Sequence, residues 1–548
     1  MTLYRLTHDR RLSRSLSSVG LFVVLVLIIV FAMPTSAQMP PEQLSSVSEK
    51  TKDAALGTGE DPVANPLSTA DRDDSSKDTA AANPLAPVPT KKTSLANLAA
   101  VLLPYSNNGP VFGLPGTDVT DFWHRTQLSG DWGGTRTDLA RHGVFIDLYL
   151  TSAFQDVASG GLKTGGAFMQ NTQLSINIDT GRAGLWSGGL FHVTLESRYG
   201  SSSPQNTFAV GSTVPQYTGL AFPGPFFVHD VLPTEYFLLQ SLTPQFSVVL
   251  GRINVLTMCD QTLFGNSYQY DFANLNFNKN PMALNFYNTT SLAAGGVWTP
   301  SHKVVVFGGV FDPNSKADNF ATKAFDRVNL YGTGIFSYKI GALPGQSWAQ
   351  FNWTNKPKID LRTPFGQLAP GTNSQAIGDL LGGPSVQGLP INYSSDSWVT
   401  IGNVSQYVFV KDHSEAVAHK LGSGQSIRGI GVFGRVGYAP AQTNTITRDG
   451  SMALFANGLL DSRKNDSFGV GVYYNGISSA LKLDISQLIG SRSGIQNEKG
   501  LDVFYDFAIT PALRIIPSYQ QIWNPLTAEV AAHQRRADTL IVRFAVIL

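Results

Sequence analysis

Charge is scarce in this chain. Lys, Arg, Asp and Glu together make up 14% of its 548 residues, against roughly 25% in ordinary soluble domains. The two signs nearly cancel, with 40 basic and 39 acidic side chains. No polybasic surface is available, which excludes a nucleic-acid binder held by phosphate contacts. There is one cysteine, Cys259, so no internal disulfide can staple the fold; a small filler is the plain reading of it. Beyond the first 37 residues no apolar run reaches the length of a membrane helix. Catalytic signatures are missing as well. There is no G-x-S-x-G elbow and no P-loop. Gly429–Gly434 matches G-x-G-x-x-G, but alternation continues through Val436 and Tyr438 where a dinucleotide loop needs a helix. His413, Glu415 and His419 fit neither H-E-x-x-H nor a zinc finger and read as a solvated polar loop. Neither a cofactor, a metal nor a catalytic residue is expected.

Glycine and aromatic residues are abundant, at 53 glycines and 11% Phe, Trp and Tyr. A chain with so little charge and so much aromatic surface needs a way to stay out of aggregates, and a lipid-facing surface is one. The N-terminus reads as an address. Arg5, Arg10, Arg11 and Arg14 precede an apolar run from Gly20 to Met33, and small residues follow up to Ala37. The run is too short to span a bilayer and fits a cleaved signal peptide over 1–37. Residues 38–116 are rich in Pro, Ala, Ser, Thr and Asp. They cannot bury enough apolar surface to offset chain entropy, so a disordered periplasmic linker is expected, with a short helix possible at Ser94–Leu103.

From residue 117 onward the pattern has period two. Ile146, Leu148, Leu150 and Phe154 alternate with Asp147, Tyr149, Thr151 and Gln155. Leu174, Ile176 and Ile178 alternate with Gln173, Asn177 and Asp179, and Phe191, Val193 and Leu195 with His192, Thr194, Glu196 and Arg198. Side chains on a strand alternate faces, so each run is a ribbon with one oily and one polar side. A soluble sandwich shares this pattern. Runs of about ten residues suit tilted membrane strands, whereas soluble strands peak near 5–6. Only helices and closed barrels satisfy every backbone group in lipid, so the expected fold is all-β, a closed antiparallel transmembrane barrel over 117–548. Short turns near 179–189, 242–245 and 510–512 and long loops at 157–169, 199–233 and 355–397 agree with the two unlike rims of such barrels. The loop 355–397 is long enough to fold inward or to decorate the surface. The last strand places Leu540, Val542, Phe544, Val546 and Leu548 on one face, with Leu where such barrels usually end in an aromatic.

Several stretches resemble the carbohydrate-selective porin family, the OprB-type porins of Gram-negative outer membranes. They are LSGDWGGTRTDLARHGVFIDLYL at 128–150, GIGVFGRVGYAP at 429–440, DSFGVGVYYNGIS at 466–478 and DVFYDFAITPALRIIPSYQQIWNP at 502–525. Together they are spread across most of 118–548, in the family's order. The resemblance implies a 16-stranded barrel with a short helix before the first strand, an outer-membrane location, and passive diffusion of sugars such as glucose. Within DWGGTR, Asp131 is suited to cap the following turn, Gly133 and Gly134 to close backbone approach, Trp132 to lodge at the barrel mouth, and Arg136 to reach carbonyls or a lumenal acid.

A sugar-selective lumen wants opposed charges, whose hydrogen bonds are about twice as strong as neutral ones, and aromatics for the apolar ring faces, with binding weak enough to release. Alternation nominates Asp147, Tyr149, His192, Glu196 and Arg198, then Arg435 beside Phe433, Tyr473, Asp502, Asp506 and Arg543. The expected partners are sugars and outer-membrane lipid, with monomer and homotrimer both open. A structural or adhesive barrel with a plugged lumen and a secreted all-β hydrolase are the competing readings.

Overall fold

The computed structural model describes residues 121–200, 209–214, 231–254, 263–265, 267, 269–283, 286, 290–315, 317, 323–362, 392–423, 426–483 and 494–548. The expected signal peptide, the linker and Cys259 lie outside them, as does most of the loop 355–397. A helix, Thr135–Arg141, precedes the first strand. The strands are β1 Val144–Gly160, β2 Gly165–Asp179, β3 Gly189–Gly200, β4 Leu232–Ser241, β5 Phe246–Asn254, β6 Thr290–Ser301, β7 Val304–Phe311, β8 Asn329–Ile340 and β9 Leu343–Thr354. A two-residue hairpin follows, β10 Lys358–Ile359 with β11 Tyr393–Ser394, and then β12 Ser397–Val410, β13 Gly429–Tyr438, β14 Ile446–Asn457, β15 Ser467–Ile477, β16 Glu498–Thr510, β17 Leu513–Trp523 and β18 Arg536–Ile547. Among the described residues, sixteen of these close into one antiparallel barrel, all except β10 and β11. The seam is made by β1 and β18, with Tyr149 opposite Ile547 and Ala153 opposite Arg543.

The faces follow the alternation. On β1, Thr151, Ala153 and Gln155 are at most 4% exposed, while Phe154 between them is 49% exposed. Leu250, Val436, Met452, Trp298 and Phe544 likewise stand exposed on the outer surface. In water each such side chain would cost about 1.5–3 kcal/mol. A wall with polar residues buried inside and apolar residues outside fits lipid around it and a polar lumen within.

The two rims differ. One carries the short connections 242–245, 302–303, 341–342 and 511–512, together with the start and end of the barrel chain. By the usual construction of these barrels this is the periplasmic rim. The β1–β2 connection on the far rim is only 161–164, shorter than the expected 157–169, because both strands extend past the alternating core of their pattern. The segment of His413 and Glu415 is also not the polar loop that its composition suggests: Ser414–Ser423 is a helix.

Candidate functional site: a loop seated inside the barrel

Between β5 and β6 the described residues 263–286 fold into the lumen. The period-two pattern does not mark this segment, and the length of 355–397 points to that loop instead. The composition of the inward segment held a signal, since YQYDFANLNFNKNPMALNF combines Phe, Tyr and Asn at a density unlike an exposed loop. Phe272, Phe277, Asn274, Asn278 and Asn280 are all essentially fully buried. Buried amides need partners, and Asn278 Nδ2 donates to Asn274 O at 3.3 Å within the loop. A one-turn helix, Leu275–Asn278, is capped by Asn274, whose side chain accepts from Asn276 N.

The inner wall of β12–β18 receives this loop in two ways. Glycines form sockets for its large side chains. A Cβ on Gly431 would meet Phe264 at 2.3 Å, one on Gly471 would meet Phe277 at 2.4 Å, one on Gly469 would meet Phe272 at 2.6 Å, and one on Gly437 would meet Met282 at 2.2 Å. The rings then pack edge-on: Phe264 with Tyr407 at 4.9 Å, Phe272 with Phe504 at 4.9 Å and Phe277 with Tyr473 at 6.0 Å between centroids. These glycines are where a backbone must be approached closely, and one of them, Gly431, belongs to the G-x-G-x-x-G run.

Charged and amide groups supply the second attachment. Arg435 Nη1 donates to the carbonyls of Asn276 and Phe277 at 3.3 and 3.1 Å, with its guanidinium 5.6 Å from the Phe433 ring. Arg543 donates to the Asp271 carbonyl and to Ser518 Oγ. Asp502 accepts from Asn274 N at 2.9 Å and from Gln520 at 3.2 Å. Asp449 accepts twice from Asn280 Nδ2, at 3.0 and 2.9 Å. Gln269 donates to Gln173 of β2 at 2.8 Å, reaching the other side of the seam. Asp506 pairs with Arg514, which also lies over the Tyr270 ring. Tyr473 donates to Glu498 at 3.2 Å, and Glu498 accepts from Thr213 N and Oγ1 in the β3–β4 connection.

Of the residues nominated from sequence, Phe433, Arg435, Tyr473, Asp502, Asp506 and Arg543 thus come together around this loop. Arg514, Gln520, Asp449 and Glu498 were missed, although alternation also turns them inward. Tyr149 joins the same buried cluster from β1. The other nominees form separate groups. His192 Nδ1 donates to Asn177 Oδ1 at 2.6 Å, and its Nε2 lies 3.5 Å from Glu235. Glu196 accepts from Gln173 at 2.9 Å. Arg198 keeps partial exposure. Asp147 accepts from Gln127 at 2.6 Å near the periplasmic rim.

The DWGG segment closes that rim at the seam. Asp131 Oδ1 accepts from Thr137 N at 2.7 Å and caps the helix across the intervening turn. Arg136 donates to the carbonyls of Gly130, Ile146 and Leu548 at 2.9, 3.2 and 2.8 Å, joining the first strand to the end of the last. Two expectations need correction. Trp132 is not lodged in the mouth but 37% exposed, stacked on the Arg136 guanidinium at 4.2 Å. Gly133 and Gly134 have open space where a Cβ would be; they are needed for φ values of 68° and 97°, which favour glycine, not for close approach.

On the far rim, Lys358 Nζ lies over the Phe286 ring at 5.3 Å. Burial, with a smaller contribution from neighbouring Lys356, lowers its pKa to about 8. At the periplasmic rim the Asp461 carboxyl is held below its ordinary range by hydrogen bonds from Arg428 and Lys411. No group of three or more metal-ligating side chains occurs among the described residues.

Comparison with known proteins agrees with this architecture. The high-pH structure of Pseudomonas putida OprB superposes with a TM-score of 0.62 at 16% identity, covering 78% of this chain and 100% of that one. The low-pH structure of the same protein gives a TM-score of 0.45 at 14% identity over 78% and 99%. Pseudomonas aeruginosa OccK11 (OpdR) gives 0.37 at 9% over 74% and 96%. No curated protein matches in sequence. The family model described as carbohydrate-selective porin, OprB family, matches residues 163–542, most of the chain. A sixteen-stranded barrel with an inward-seated loop and this match over nearly its whole wall together place the chain in the carbohydrate-selective porin, OprB family.

Proposed function

We propose that this chain is an outer-membrane channel through which glucose and similar sugars or polyols diffuse passively. The family match over 163–542 carries the reading. The lumen supports it chemically, because opposed charges and aromatic rings lie close together there, as a neutral polyol with apolar ring faces requires. The solute path runs along the inner wall left free of the loop's anchors, past Arg198, Thr333, Ser337 and Gln346, which alternation turns inward and which keep partial exposure. In this reading Arg435, Arg543, Asp502 and Asp506 act on solute indirectly, by fixing the loop that sets the width. Of the nominated groups Asp147 and Arg198 keep partial exposure, and Arg198 lies on this path. The channel needs no cofactor or energy source and performs no chemistry on its solute. Export uses the N-terminal 37 residues, with cleavage after Ala37, and residues 38–116 act as a periplasmic linker.

Planar-bilayer recording with graded sugars tests this. A steady ion current that glucose blocks in a concentration-dependent way is the expected result. One observation favours a different reading, a plugged structural barrel: much of the inner wall is nearly fully buried, including Leu239, Val297 and Phe504. Absence of any open current from correctly folded protein would establish that alternative instead.

A further inference from the structure

One periplasmic connection differs from the short turns around it. The β12–β13 connection runs from 411 to 428 and contains the helix Ser414–Ser423. Its two ends are paired, since Lys411 N donates to Arg428 O at 2.8 Å. Asp412 accepts from Lys420 Nζ at 2.7 Å and from Arg428 N at 2.8 Å. The neighbouring turn 458–466 then clamps the base. Asp461 receives Arg428 Nη2 at 2.6 Å and Lys411 Nζ at 2.9 Å, while the same two cations donate to the carbonyls of Gly458 and Leu459, both at 2.8 Å.

Among the described residues of the helix, Val417 faces the interior. Val417 is 5% exposed and belongs to the buried cluster of Phe264, Tyr407, Ile427, Phe433 and Phe455. His413, Ser414, Glu415 and Leu421 remain exposed. Phe264 comes from the inward loop, which hangs from the opposite rim. A periplasmic connection and a far-rim loop therefore share one buried cluster inside the barrel. An ordinary turn has no reason to bury a valine there, and exposed ion pairs contribute little stability, typically about 0–1 kcal/mol each. Two cations converging on one carboxylate and on two backbone carbonyls instead fix position.

We propose that the helix Ser414–Ser423 is the periplasmic floor of the constriction. Val417 props the Phe264 end of the inward loop from the periplasmic side, and the Asp461 clamp holds the helix at the height that sets the solute exit. The solute part of this rests on the sugar-channel reading; the positional part does not. The test uses the full chain, refolded and checked for resistance to heat in detergent. Asp461→Ala and Val417→Ala are compared with the parent in single-channel KCl recordings, and glucose is then added to each side separately. Both variants should pass a larger and noisier current, and sugar block from the periplasmic side should weaken more than block from the far side. Asp360→Ala, which breaks an exposed pair with Arg362 on the far rim, should leave that asymmetry unchanged. A purely structural role would alter yield without altering sidedness. Currents and sided block equal to the parent in Asp461→Ala would overturn the proposal, and because Asp461 is exposed this variant remains informative if Val417→Ala folds poorly. If glucose blocks no variant and not the parent either, the sugar reading fails, while the KCl currents still decide whether the helix sets the opening.

Discussion

The inner walls of β4–β9 and β13–β18 differ in where their apolar and charged groups are concentrated. The first turns Phe237, Leu239, Val249, Val297, Phe307, Tyr331 and Trp348 inward; the second turns Arg435, Asp449, Asp502, Asp506, Arg514, Gln520 and Arg543 inward. A simple view of a sugar channel would place the permeation site on the charged half. The contacts argue otherwise, because most of those charges meet the loop 263–286 and not open water. Arg435 reaches two loop carbonyls, Asp502 a loop amide, and Asp449 a loop asparagine. The charged half anchors the loop through polar contacts, while the apolar half holds the loop's Leu275, Met282, Ala283 and Phe286 in one buried cluster with Leu239, Val249, Phe307 and Tyr331.

The sharpest way to break this comparison is to remove an anchor. Arg435→Ala deletes two hydrogen bonds from a cation, each worth about 1.5–3 kcal/mol, from the loop but none from the strand ladder. The barrel should still form, and the loop should detach. A marked rise in single-channel conductance with loss of sugar block is expected; an unchanged current would return Arg435 to a passive place in the wall.

Filling a socket should act in the opposite direction. Gly471→Val puts side-chain atoms where Phe277 sits, and overpacking of this kind costs about 1–3 kcal/mol. The loop should be pushed toward the path and the conductance should fall. Gly334→Val on the outer face, where a Cβ would meet nothing within 4 Å, serves as the comparison and should leave the current as it was. Equal effects of the two substitutions would remove the sockets from the explanation.

A smaller effect is expected from pH at the far rim. Burial lowers the Lys358 pKa to about 8 from the ordinary lysine value of 10.5, so its charge is present at pH 7 and lost as pH rises through about 8. The folded state then binds fewer protons than the unfolded chain between those values, and stability contributed by this group rises with pH there. Reversal potentials in a KCl gradient should show anion preference declining from pH 7 to 9, and Lys358→Gln should abolish that decline.

Trp132→Ala should change least. A buried Trp costs about 3–5 kcal/mol to truncate, but Trp132 is more than one-third exposed, and its stacking on Arg136 belongs to the range of roughly 0.5–1 kcal/mol for exposed cation–π pairs. A slightly lower unfolding temperature with normal conductance is expected. A clearly enlarged conductance would extend the permeation site to the periplasmic rim.

Alternation along the chain was enough to sort the wall into two faces. Leu148, Ile176 and Val193 face outward and Asp147, Asn177 and Thr194 inward, because successive Cβ atoms on a strand point to opposite sides, and lipid tolerates only one kind of face. Closure also followed from sequence, since no other β architecture leaves its backbone groups satisfied in a bilayer. Which inward residues would meet a loop and which would meet open lumen was not legible. Arg435 and Phe277 are 158 positions apart, and Asn274 and Gln520 are 246 apart. A period-two pattern reports on neighbours two residues away and carries nothing about such pairs. Asn- and Phe-rich composition in 263–286 hinted at burial, but the sockets at Gly431, Gly469 and Gly471 became visible only once the sheet had closed and brought them opposite the rings. The sequence by itself determined which side of the wall each residue serves, through local geometry and the solvent on either side; the tertiary structure alone decided what each inward residue touches, because those contacts cross the lumen.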